Sequence, residues 1–108
     1  MNSYIYTFIR EDISPAQKIV QLGHACHEAG KLLNHSEHKH VSSLILLSAK
    51  DEDDLLEIAE RINRAGIDHY TFFEPDGGIG YSAICTRPVI SARERAFFKK
   101  WDLYKPAD

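Results

Sequence analysis

Residues Arg10–Ala25 read R-E-D-I-S-P-A-Q-K-I-V-Q-L-G-H-A, the end of one element and the start of another. Ser14 is a good helix N-cap, Pro15 suits the first helical position, and Gln17 stands where a capping box places Glu or Gln. Past the cap, Gln17, Gln21, His24, Glu28 and Lys31 share one helical face. Ile19, Leu22, Cys26, Ala29 and Leu33 share the opposite one. This pattern predicts a helix from Pro15 to Leu33 with the apolar stripe on the core and the polar stripe in water. Gln and His beside a helix N-terminus also suit an anion or a polar substrate.

Outward from this helix, Tyr4–Ile9 is β-branched and aromatic on both faces, as in a central strand. Asn34–His40 is a polar loop and Val41–Ser48 a second buried strand. Asp51–Ala65 is a helix with acidic residues in its first turn, Arg61 and Arg64 near its end, and Gly66 in the C′ position. Its buried stripe is Leu55, Ile58, Ala59 and Ile62. Asp68–Phe73 is a third strand, Glu74–Gly80 a turn, and Tyr81–Thr86 a fourth strand. Ser91–Phe98 is a short helix with Ser91 and Glu94 as a capping box.

The order β-α-β-α-β-β-α predicts a single α/β domain with a four-stranded mixed sheet flanked by helices. Helical crossovers predict three parallel neighbours, and the short turn a fourth strand antiparallel to the third. Ligands in such sheets collect at the carboxyl ends of parallel strands, where the Arg10–Gln17 and Glu74–Gly80 loops meet.

A chain of 108 residues with 44% hydrophobic and 27% charged residues has room for one core. Its formal net charge of −3 rules out a global basic field, although Arg93, Arg95, Lys99, Lys100 and Lys105 make the tail locally basic. No apolar run reaches the ~20 residues of a membrane span, and the opening strand pattern does not match a secretory leader, so a cytoplasmic protein is expected. Cys26 and Cys85 have no C-x-x-C partner and read as free, inert thiols in apolar surroundings.

Several chemistries can be weighed from the residues. His24 with Asp76 or Glu74 forms an acid–base pair if the loops converge. His24, His27, His35, His38 and His40 match no tight zinc spacing, so no metal and no cofactor is expected. G-G-I-G lies between strands, where a dinucleotide fingerprint needs a following helix. In the tail, Phe97 and Trp101, with Tyr104, dock on the sheet, while base stacking is the alternative use of these rings.

Arg10, Asp12, Ile13, Pro15 and Ala16, followed by Gln21, His24 and Ala25, resemble the helix motif of the type-2 peptidyl-tRNA hydrolases. The resemblance covers about residues 3–90, leaving a helical tail at 91–108. It implies a compact α/β fold and metal-free hydrolysis of the ester between a peptide and the tRNA 3′ ribose, or of a related acyl-nucleotide ester. Under it, Asp76 orients or activates water with His24. Gln17 and Gln21 meet acyl or ribose oxygens, Lys18 and Arg10 hold phosphate, and Ser82 is the nearest hydroxyl to the family's loop threonine. Asp12 pairs with Arg10 in the alternative use of both. Two departures stand out: Gln17 replaces the usual helix lysine, with Lys18 about 100° round the helix, and the Asp-Gly loop is shorter. These suit a non-catalytic nucleotide-, RNA- or protein-binding module as the alternative. The small sheet and apolar tail are compatible with a homodimer.

Overall fold

The computed structural model describes residues 2–33 and 40–106. Strand β1 (Tyr4–Arg10) leads through helix α1 (Pro15–Leu32) to β2 (Ser43–Ala49), and helix α2 (Glu52–Arg64) leads to β3 (His69–Glu74). A short 3-10 turn at Asp76–Gly78 then returns the chain as β4 (Gly80–Thr86), and helix α3 (Ala92–Phe97) starts the tail. Ser14, Asp51 and Ser91 cap the helices, each accepting a hydrogen bond from the backbone N–H three residues on. Gly66 takes the positive φ of +76° that ends α2.

The sheet runs β2-β1-β4-β3. β1 and β2 pair in parallel, while β4 is antiparallel to both β1 and β3. The expectation of three parallel neighbours is therefore corrected. β3 points the same way as β1 but lies at the far edge, with β4 between them. Burial explains the order: Ser82–Thr86 is wholly buried, as a central strand requires, whereas β3 has no residue fully buried. The β3–β4 connection folds the more apolar strand inward and leaves the partly polar one at the rim.

Helix α1 covers one face with Ile9, Ala25, Ala29, Ala83 and Cys85, and α2 covers the other with Phe8, Leu55, Ile58, Ile62 and Ile84. The face of α1 differs from the apolar stripe read from the sequence. Its buried residues are Gln21, Ala25 and Ala29, and Ile19 is 76% exposed. Small alanines let the helix approach the sheet, which brings the Gln21 stripe inward and leaves Ile19 outside.

The tail packs against the α2 face. Phe98 is fully buried and stacks on Tyr6 at 4.0 Å, and Trp101 meets Phe8 edge-on at 5.3 Å. Phe98 thus joins Phe97 and Trp101 as an anchor, a role the sequence pattern did not assign it. Beyond it the chain runs along the outer edge of β2: Leu103 bridges Leu47, and the Tyr104 N–H donates to the Leu46 carbonyl at 2.9 Å. This covers backbone groups that an edge strand would leave open. No helix among the described residues is long and apolar enough to cross a membrane.

Candidate active site at the carboxyl end of the sheet

The carboxyl ends of β1, β2 and β3 lie at one end of the molecule with the N-terminus of α1, and the Arg10–Gln17 and Glu74–Gly80 loops do meet there. Their link is Arg10, the last residue of β1 and only 8% exposed. Its Nε and Nη2 donate to the two carboxylate oxygens of Asp12, both at 2.8 Å. Its Nη1 donates to the carbonyls of Ile79 and Tyr81. The fork geometry of guanidinium makes this bidentate grip specific for arginine. The hydrogen bond from Arg10 holds the Asp12 carboxyl below its ordinary range, and the same bond raises the guanidinium's own value. Of the two uses read for these residues, the geometry displays the pairing that shapes the loops.

A second clamp holds the start of β4. Glu52, the first residue of α2, accepts the Tyr81 N–H at 2.8 Å. Gly80 has φ +76°, and a Cβ there would run into the Glu52 carboxylate. The backbone angle favours glycine, and a side chain here would also push the Glu52 carboxylate off the Tyr81 N–H.

On the α1 side of β4 lies a different arrangement. Phe72 pairs with Ala83 but Phe73 pairs with Tyr81, so Ser82 is an extra residue in a β-bulge. A regular strand would point Ser82 and Ala83 to opposite faces; the bulge re-aims Ser82 toward α1. Its hydroxyl donates to the Gln21 Oε1 at 2.7 Å. The Gln21 Nε2 donates to Gln17 Oε1 and Glu74 Oε1, each at 3.0 Å. Gln21 is wholly buried with both amide ends satisfied, as a buried amide must be. Two outward atoms of this cluster have no partner among the described residues: the Gln17 Nε2 and the Glu74 Oε2. Glu74 is half-buried and enters the site as a residue that sequence reading considered only as a partner for His24.

The remaining candidates lie around this core. His24, one helical turn past Gln21, is exposed and stacks on Phe72 at 4.8 Å with the rings 4° from parallel. It does not hydrogen-bond Glu74 or Asp76. Asp76 is exposed in the 3-10 turn, and its side chain has no hydrogen bond or ion pair among the described residues. Lys18 faces away from Gln17: its Nζ donates to the Tyr104 hydroxyl at 3.2 Å and lies 5.3 Å from that ring's centre. Lys18 and Tyr104 line an apolar pocket of about 240 Å³ with Ile9, Leu22 and Leu46. His35 and His38 lie outside the described residues, among which no group of three or more His, Cys, Asp or Glu could hold a metal ion.

The arrangement at Gln21 has parts that suit acyl transfer: a carboxylate oxygen beside amide N–H donors, held by a buried scaffold. The human protein named "Putative peptidyl-tRNA hydrolase PTRHD1" is 30% identical over 116 aligned positions, covering 93% of this chain and 81% of that protein. The chain belongs to this divergent peptidyl-tRNA hydrolase-like family. The mouse protein of the same name is also 30% identical, over 114 positions with the same coverage. The match spans more than residues 3–90, so the likeness takes in part of the tail. No protein-family profile matches the chain.

Proposed function

We propose that this protein hydrolyses the ester joining an acyl or peptidyl group to the 3′ end of tRNA, with the Gln17–Gln21–Glu74 cluster as its reacting centre. One observation carries the reading: Gln21 holds Gln17 and Glu74 side by side, while the Gln17 amide donors and the Glu74 Oε2 have no partner among the described residues. In this mechanism the Glu74 Oε2 takes a proton from water as the water oxygen adds to the ester carbonyl. The Gln17 N–H groups donate to the oxyanion that forms. Collapse expels the ribose 3′ oxygen, which recovers the proton from Glu74. Gln21 and Ser82 are positioning residues, and Arg10 with Asp12 fixes the turn beside them.

The remaining sequence candidates keep supporting roles. Asp76, at the exposed tip of the turn, orients the incoming water or the ribose. His24 with Phe72 forms a flat aromatic surface along the cleft. Lys18 retains ammonium donors beyond its bond to Tyr104 and meets a phosphate. No metal or cofactor enters this mechanism, and the cytoplasm is proposed as its compartment. Homodimerisation is checked by sedimentation at two protein concentrations.

A second reading has its own observation. Gln17 stands where the resembling hydrolases carry lysine, and the Arg10 guanidinium is engaged by Asp12. A module that binds a tRNA end without cleaving it would look the same. Purified protein with N-acetyl-aminoacyl-tRNA in EDTA distinguishes the two. Turnover supports the hydrolase, and tRNA binding without turnover supports the module.

A further inference from the structure

A cavity lies between the tail and the sheet, on the face that α2 covers. Its volume is about 340 Å³, and its walls include Tyr6 and Leu47 from the sheet and Phe98, Trp101 and Leu103 from the tail. Arg95 and Lys99 also line it, and no acidic residue does. The Arg95 guanidinium lies over the Tyr4 ring, 4.2 Å from its centre. Its Nε is shut off from solvent with no hydrogen-bond partner, and the guanidinium makes no ion pair among the described residues. Lys99 is exposed and likewise unpaired among them. Tyr6 is only 8% exposed, yet its hydroxyl has no hydrogen-bond partner among the described residues. Polar groups this enclosed are nearly always paired, so two without partners at one cavity mark a place for an acceptor.

We propose that this cavity binds a small organic carboxylate with an apolar body. The carboxylate pairs with the Arg95 guanidinium, whose parallel N–H groups fit two oxygens at once. Lys99 adds positive charge, and the Tyr6 hydroxyl supplies one more donor. The apolar body packs on Leu47, Phe98 and Trp101. The volume lies at the small end of the range for ligand cavities, about 300–1,000 Å³. The walls decide against a nucleotide. Apart from the two cations and the tyrosine hydroxyls they offer no polar side chain, so base and sugar edges would give up water without finding partners. A bare inorganic anion would leave the apolar walls in water. The cavity is on the opposite face of the sheet from the Gln21 cluster, so this proposal is independent of the reaction at Glu74.

Trp101 is the one tryptophan of the chain, so its fluorescence reports on the cavity. The protein would be titrated with 3-phenylpropionate and with hexanoate, beside 3-phenylpropanamide, acetate and AMP, and binding checked by equilibrium dialysis. The expected result is saturable binding of at least one of the two longer carboxylates. The amide keeps the body and loses the charge, and should bind ~10-fold or more weakly. Arg95→Met keeps an unbranched stem over Tyr4 and should weaken carboxylate binding by ~10-fold or more with an unchanged unfolding midpoint. Arg95→Lys keeps the charge without the fork and should fall between. No saturable binding of either longer carboxylate up to about 5 mM would overturn the proposal. So would equal binding of the amide or of acetate, tighter binding of AMP, or an affinity that both Arg95 variants leave unchanged.

Discussion

Two clusters of polar side chains flank the first residues of β4, and they differ in what they leave over. On the α2 side, Arg10 directs its guanidinium to both Asp12 oxygens and two carbonyls of the turn, and Glu52 holds the next backbone N–H. Nearly every donor there is engaged within the protein. On the α1 side, Gln21 is equally saturated, but its partners Gln17 and Glu74 each keep an atom with no partner among the described residues. The first cluster fixes the loops; in the proposed mechanism the second presents the reacting groups. The proposal rests on this contrast between a saturated scaffold and polar atoms left open beside it.

This contrast can be broken most severely at Glu74. Glu74→Gln keeps an oxygen to accept from Gln21 but removes the base. It should lower turnover by ~100-fold or more with an unchanged unfolding midpoint, as read from ester cleavage and urea denaturation. At Arg10 the effect should fall on stability. Arg10→Met leaves Asp12 and two carbonyls without their donor and should cost about 2–4 kcal/mol in urea unfolding. Activity should then be lost only as the protein unfolds.

Gly80→Ala sharpens the account of the turn. It places a Cβ against Glu52 at a positive φ and should cost about 1–3 kcal/mol. Adding Glu52→Ala should return the part due to the clash and leave the part due to φ. The smallest effect is on acid stability. The bonds from Arg10 and from Arg87 hold Asp12 and Glu94 below their usual values. A carboxyl depressed on folding stabilises the fold above its unfolded pKa and loses that contribution as pH falls through the folded one. Unfolding midpoints should hold above about pH 5 and drop steadily below about pH 4. Arg10→Met should flatten part of that drop.

Much of this was legible in the chain, because it was written in local chemistry. Ser14, Asp51, Ser91 and Gly66 mark helix ends by rules that act within a few residues, and Leu55, Ile58 and Ile62 fall where the helical period buries them. The meeting of the Arg10 and Glu74 loops followed from strand ends and turns. What stayed hidden depended on distant partners. β4 lies between β1 and β3 because its run is the more apolar, a comparison between strands that pairwise connection rules do not make. Gln21 looked wet because it is polar, yet it is buried, since three partners from α1, β3 and β4 satisfy it. The bulge that turns Ser82 toward it leaves no mark in the sequence beyond a serine in an apolar strand. Glu74 was visible, but only as a companion for His24, which instead lies on Phe72. Cys26 and Cys85 read as free thiols in apolar surroundings, and both lie at one apolar cluster between α1 and the sheet.

The most direct test of the contrast sets the two carboxylates of the β3–β4 turn against each other. Single-turnover cleavage of N-acetyl-aminoacyl-tRNA in EDTA would be followed for Glu74→Gln and Asp76→Asn beside the unaltered protein. The account predicts that Glu74→Gln abolishes cleavage while Asp76→Asn, at the exposed tip of the turn, slows it by less than ~10-fold. Cleavage that survives in Glu74→Gln and disappears in Asp76→Asn would contradict it, moving the reacting centre from the Gln21 cluster to the tip of the turn.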